Sequence, residues 1–461
     1  MGERSIRILC LDGGGVKGIV SLQILKSIME DVNKKETIAE QYLNRMPIKS
    51  MPTQLRPCDY FDLICGTSTG GLIALMLVWQ TVDEAIEKYD QLSGKIFGKK
   101  LPWLERWNAT YDDAVLEECL KAVIKESPVG LKEDAPLRST MSKVELTNMR
   151  FSRHRPQGCK TFVVSTNLDK ESSRPVILRS YDIPGIDSER ASTCKIWEAG
   201  RATSAAPTFF KPIILDGQSF SDGATIANNP THIAIMEASK IWRPVDIDCI
   251  LSLGTGREED HTMANATLDM LGPRVTWMCE RMLSRFFYFR LQLAIYSLHA
   301  MTGTEATHHN TRIMVDAYRA DTETTSHNAI REEVYFRLNP DIRSVRAGLD
   351  SVEKMGELSA LAKKYMREHP DASTARKAIT LKLAGSRKLR SPPPVNVRQR
   401  FPSIVKLLKF APTLNGDNTF IAGEPNSNLT QDEDADQLPQ IILPVGDFGK
   451  SERRRCHSDN T

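Results

Sequence analysis

Twice near its N-terminus this chain passes from a short β-rich run through a glycine turn into a helical stretch. Ser5-Ile-Arg-Ile-Leu-Cys-Leu11 leads into Asp12-Gly-Gly-Gly-Val-Lys-Gly18, after which Ile19, Leu22, Leu25, Ile28 and Met29 recur at helical spacing. Phe61-Asp-Leu-Ile-Cys65 leads into Gly66-Thr-Ser-Thr-Gly70. From Gly71 to Trp79 the chain is then apolar on all sides, the pattern of an interior helix. Further strand patterns at Thr161–Ser165, Pro175–Leu178 and Cys249–Leu253, with a helix over Ile196–Ala205, continue the alternation. Such alternation predicts a three-layer α/β/α domain around a mostly parallel central sheet.

Residues 34–58 are polar and contain Pro47, Pro52 and Pro57, which predicts a loop insertion. A helical stretch over 350–367 is expected to close the folded body near His369-Pro370. Between Ala372 and Gly416 there is no acidic residue but ten Lys or Arg, with Ser391-Pro-Pro-Pro394 in the middle, and an acidic run (Asp432, Glu433, Asp434, Asp436) follows. The expectation is one catalytic domain, residues 1–370, and a disordered tail, 371–461, basic and proline-rich and then acidic.

The 461 residues carry a net charge of only +3, so no global field argues for a nucleic-acid partner. Nine cysteines without a short-spaced pair argue against a disulfide framework or a zinc site and for a reducing, cytoplasmic setting. No apolar run is long enough for a transmembrane segment, and the run Ile6–Leu11 is too short for a signal-peptide core, so no export signal is expected. No metal and no organic cofactor is expected.

Gly66-x-Ser68-x-Gly70 between a strand and an apolar helix is the context of a nucleophile elbow. A sharp turn exposes the serine, and small residues on both sides let strand and helix pass closely. The same pattern also serves a tight turn with a solvated serine. Gly13-Gly14-Gly15 opens the first helix, so its backbone N–H groups can converge on an anion. A Walker A loop does not fit, because Gly18 stands where Ser or Thr would follow Lys17, and no acidic ribose ligand follows within residues 34–58. An oxyanion hole remains, with Lys17 adding positive charge. Asp222-Gly223-Ala224 reads by itself as an Asp-Gly turn. Beside the other two motifs, Asp222 becomes a candidate base, since no histidine lies in a strand-end, catalytic-loop context; His232 comes nearest to one.

In this order the motifs resemble the patatin-like phospholipase family. They are Asp12 to Gly18, Gly66 to Gly70 and Asp222-Gly223-Ala224, supported by Ala202-Thr-Ser-Ala-Ala-Pro207, Phe210-Lys-Pro212, Asn228-Asn-Pro230 and Ser252-Leu-Gly-Thr-Gly256. The likeness is close over residues 5 to 260 and loose over 330 to 367. It implies a patatin-like fold, a Ser68–Asp222 dyad, an oxyanion hole from Gly13, Gly14 and Gly15, and hydrolysis of fatty-acyl esters of phospholipids or related lipids through an acyl-enzyme. Lys17 departs from the arginine commonest there, keeping the charge without the planar fork. Alternatives are a lipid acyltransferase or neutral-lipid hydrolase with the same dyad, or a catalytically silent lipid-binding module.

An acyl lipid substrate requires a transient membrane or lipid interface, so a peripheral place at membranes or lipid droplets is expected. Two segments are candidates. One is the aromatic, amphipathic run Leu283–Leu298, preceded by Trp277, Met278 and Met282, which also fits a core helix. The other is the basic span Arg376–Lys409, which also fits a solvated linker. An ordinary aspartate, with a pKa of about 3.9, is a weak base at neutral pH, so the dyad requires Asp222 to be desolvated.

Overall fold

The structure, a computed structural model, describes residues 5–42, 55–102, 109–128, 130–139, 158–169, 174–183, 194–242, 246–257, 281, 304–323, 333–385, 413–414 and 420–421. The strands of its main sheet are β1 (Ser5–Leu11), β2 (Leu63–Thr67), β3 (Lys160–Asn167), β4 (Pro175–Arg179), β5 (Ile213–Leu215), β6 (Gln218–Asp222), β7 (Asp246–Leu253) and β8 (Tyr335–Leu338). The helices are α1 (Gly18–Tyr42), α2 (Thr69–Leu77), α3 (Val82–Ile96), α4 (Asp113–Lys125), α5 (Ile196–Thr203), α6 (Ala224–Ala227), α7 (Thr231–Ile241), α8 (Glu305–Glu323), α9 (Met355–Glu368) and α10 (Pro370–Gly385).

Neighbouring strands run parallel in the order β3-β2-β1-β7-β8, while β4, β5 and β6 are antiparallel additions. The central strands are buried on both faces, as a parallel sheet covered by helices must be. Side-chain alternation divides the core into two layers. Leu9 and Leu11 join the layer that contains α1, α2, α3, α4, α5, α9 and α10. Ile6, Ile8 and Cys10 join the opposite layer, with Ile233 and Ile235 of α7 and Met314 and Val315 of α8. The three-layer α/β architecture is therefore present.

Two boundaries differ from expectation. α1 runs to Tyr42 and so takes in the first part of the expected loop insertion. No proline interrupts the chain before Pro47, and Glu36 is buried where it accepts a hydrogen bond from the Tyr60 hydroxyl at 2.6 Å. At the other end, a helix continues past His369-Pro370. Ala372, Ile379 and Leu383 of α10 are fully buried in the α1 layer, so the folded body does not stop at residue 370. Pro370 begins a helix here, in the first turn, where its missing N–H is no loss. Beyond α10, the described residues form one short antiparallel pair, Thr413–Leu414 with Phe420–Ile421. The run 283–298, with Trp277, Met278 and Met282, lies outside the described residues, as does most of the basic span. Among the described residues no helix is long and apolar enough to cross a membrane.

Candidate active site

Ser68 stands between the last residue of β2 and the first of α2, with φ 53° and ψ −128°. A non-glycine residue in this region costs on the order of 1–3 kcal/mol and persists only where its surroundings impose it. Here they do. A Cβ at Gly66 would lie 2.0 Å from the Gly70 carbonyl oxygen, and one at Gly70 would lie 2.3 Å from that of Leu11. The turn thus closes only with both glycines present. The Ser68 N–H donates to Thr203 Oγ1 at 2.9 Å, and that hydroxyl in turn donates to the Val164 carbonyl at 2.5 Å. Because Ser68 precedes α2, the positive end of that helix faces it.

Asp222 reaches Ser68 through strand register. β4 and β2 both pair with β3 at Phe162 to Val164, so they occupy opposite edges of it. β4 and β6 both pair at Ser165 and Thr166, so β6 shares the edge that β2 uses. The two strands approach each other along that edge. Thr67 ends β2 opposite Val164, and Asp222 ends β6 opposite Ser165. Two residues 154 apart in sequence therefore meet, and Ser68 Oγ donates to Asp222 Oδ2 at 2.6 Å. The other carboxyl oxygen accepts the Ala224 N–H at 2.8 Å. Gly223 lies tight on β3, since a Cβ there would sit 2.3 Å from the Val164 carbonyl oxygen.

Asp222 is 1% exposed. Burial pushes its carboxyl up to about 7, against the opposing hydrogen bonds from Ser68 and the Ala224 amide. The Asp222 carboxyl is thus desolvated. No histidine is among the groups acting on Asp222. His232 lies on α7, where burial lowers its pKa.

The glycine loop lies against the serine. A Cβ on Gly13 would come within 2.9 Å of Ser68 Cβ. Gly15 adopts φ 56°, and its carbonyl accepts the Tyr89 hydroxyl. The Val16 N–H donates to the Leu349 carbonyl at 2.8 Å, and the Thr255 hydroxyl to the Gly13 carbonyl at 3.0 Å. Lys17 is buried within a single 3-10 turn, and Gly18 follows where α1 passes close to Thr69. The three loop amides are not equivalent. The Gly13 N–H donates to the Asn228 carbonyl at 3.3 Å, whereas those of Gly14 and Gly15 have no partner among the described residues.

Asp12 is fully buried, and desolvation raises its carboxyl to about 6 although Arg337 pulls the other way. Its Oδ2 lies 2.7 Å from an Arg337 nitrogen. Sequence reasoning missed Arg337 and Tyr89, which no local motif marks. Thr203, Asn228 and Thr255 lie inside stretches that had been singled out as wholes, without individual roles.

Chemically, the arrangement offers a hydroxyl bonded to a near-neutral-pKa carboxyl, with unengaged N–H groups in the loop alongside. Comparison with known proteins points the same way. The model of the family described as patatin-like phospholipase matches residues 9–235. Phospholipase A I of Arabidopsis thaliana is 30% identical over 295 residues, covering 55% of this chain and 21% of that protein. Calcium-independent phospholipase A2-gamma of Rattus norvegicus is 28% identical over 382 residues, covering 80% of this chain and 39% of that protein. A cGAMP-activated phospholipase of Vibrio cholerae is 28% identical over 272 residues, covering 56% and 66%. The chain thus spans well under half the length of the first two.

Proposed function

Residues 9–235 of this chain form a patatin-like phospholipase domain, and on that footing we propose that Ser68 and Asp222 hydrolyse fatty-acyl esters of phospholipids or related acyl lipids. The observation that carries the proposal is the 2.6 Å hydrogen bond from Ser68 Oγ to a fully buried Asp222. Ser68 attacks the acyl carbonyl while its proton passes to Asp222 Oδ2. A base whose pKa lies near 7 is matched to this transfer at neutral pH.

The Gly14 and Gly15 amides stabilise the tetrahedral oxyanion, and Gly13 joins them if its N–H leaves the Asn228 carbonyl. Donors of this kind are each worth about 3 kcal/mol of transition-state stabilisation. Protonated Asp222 then protonates the departing lysolipid alkoxide, leaving acyl-Ser68. Water, deprotonated by the same carboxylate, completes the cycle. The substrate brings the protein transiently to lipid surfaces. The free, buried cysteines suit the reducing cytoplasm.

The test incubates the purified full chain with phosphatidylcholine vesicles and measures released fatty acids and lysolipids by mass spectrometry, with and without an acceptor alcohol. Fluorophosphonate labelling is followed in parallel. Wild type releases both products and is labelled at Ser68, whereas Ser68→Ala does neither. Equal release by Ser68→Ala overturns the proposal. Acyl esters of the added alcohol, with no free fatty acid, replace hydrolysis by transfer.

A further inference from the structure

We infer that Arg337 is a positioning residue for the glycine loop, acting through Asp12 to set where the Gly14 and Gly15 amides stand relative to Ser68. The inference rests on the acyl-transfer reading above. Arg337 lies beyond the residues that the family model matches.

Register explains how it reaches the site. Arg337 pairs with Ser252 across β8 and β7, and Ser252 pairs with Cys10 across β7 and β1. Asp12 is the next residue on the same face after Cys10, so its carboxylate comes within reach of the guanidinium. The guanidinium nitrogens lie 2.7 Å from Asp12 Oδ2, 3.0 Å from Ser252 Oγ, 3.1 Å from Thr304 Oγ1 and 2.8 Å from Glu305 Oε1. Asp12 is fully buried and the Arg337 side chain is 4% exposed. Removing Arg337 therefore strands the Asp12 charge away from water, whereas removing Asp12 leaves the guanidinium on Glu305.

The same cluster leads to the second wall of the site. The Thr231 hydroxyl is 2.9 Å from Ser252 Oγ and 2.6 Å from Asn229 Oδ1. The adjoining Asn228 carbonyl holds the Gly13 N–H, and the Ala227 carbonyl holds the Thr67 hydroxyl at 2.8 Å. One cation thus braces the start of the glycine loop and the turn that follows Asp222. Gly13, Gly14 and Gly15 have no side chains of their own, so anchors at neighbouring positions set where the loop lies. Asp12 is a charged and fully buried one among these anchors. Misplacing oxyanion donors by about 1 Å costs on the order of 10²-fold in turnover and leaves substrate binding largely intact.

The experiment uses the purified full chain, p-nitrophenyl butyrate, a fluorophosphonate, and urea unfolding. Arg337→Lys retains a positive charge, but a single ammonium cannot span Asp12, Ser252 and Glu305 as the planar fork does. Its kcat and its fluorophosphonate labelling rate are expected to fall by roughly 10²-fold, with KM changed less than about threefold. The double variant Asp12→Asn/Arg337→Met removes both buried charges together, so its stability recovers relative to Arg337→Met alone. Its kcat stays low. Two results overturn the inference: labelling of Arg337→Lys at the wild-type rate, or kcat of the double variant returning along with its stability. Failure of wild type itself to be labelled at Ser68 overturns the underlying acyl-transfer reading, and this inference with it.

Discussion

Replacing Asp222 by Asn exchanges one carboxyl oxygen for an amide nitrogen at a fully buried position and keeps the side chain's shape. The Asn carbonyl still accepts the Ala224 N–H, which reaches the carboxyl at 2.8 Å in the wild type. What changes is ionisation. The wild-type carboxyl has a pKa of about 7 in the folded protein and an ordinary 3.8 when exposed. Unfolded chains therefore lose this proton near pH 4 and folded ones near pH 7. Between those values the folded state binds more protons, so wild-type stability falls as pH rises and levels off above about 7. The full difference corresponds to about 4 kcal/mol held against folding, at about 1.4 kcal/mol per pH unit. Asp12, also raised by burial, contributes the same slope to both proteins and cancels. Urea unfolding of the two proteins should show Asp222→Asn gaining about 3 kcal/mol on wild type between about pH 4.5 and about pH 8.5. Ester turnover should meanwhile fall by at least about 10²-fold, and the wild-type rate should rise with pH through a midpoint near 7. A stability difference that stays flat with pH would refute the argument, because Asp222 would then titrate as an exposed carboxyl does.

Three other outcomes follow from named contacts. In Gly15→Ala the new methyl meets the Leu349 carbonyl oxygen at 2.0 Å on a backbone with φ 56°. The variant should lose ester turnover, and its unfolding free energy should drop by about 1–3 kcal/mol. Thr203→Val leaves the Ser68 N–H and the Val164 carbonyl unpaired. Thermal and urea unfolding should show a loss of about 1–3 kcal/mol, with kcat falling more than KM rises. Truncation after His369 removes the buried Ile379 and Leu383 and should cost about 3–6 kcal/mol.

Much of the fold was legible because it is written in local patterns. The interior character of α2 shows in an unbroken apolar run, and the β1 and β2 turns announce themselves through their glycines. Local pattern failed where its signals are ambiguous. Proline can stop a helix or start one, and Pro370 starts α10. A polar surface is compatible with a loop or a helix, and α1 continues through residues 34–42 as a helix.

The candidate site divides along the same line. The sequence alone determined which chemical groups are present, a serine in a tight elbow, a glycine loop and an Asp-Gly turn, because each depends on neighbours a few residues away. Tertiary structure alone decided that β2 and β6 meet on one edge of β3, that Asp222 is stripped of water, that Asn228 engages one loop amide, and that Arg337 lies beneath Asp12. Those facts depend on strand register and burial, which join residues 154 positions apart and leave no short-range trace.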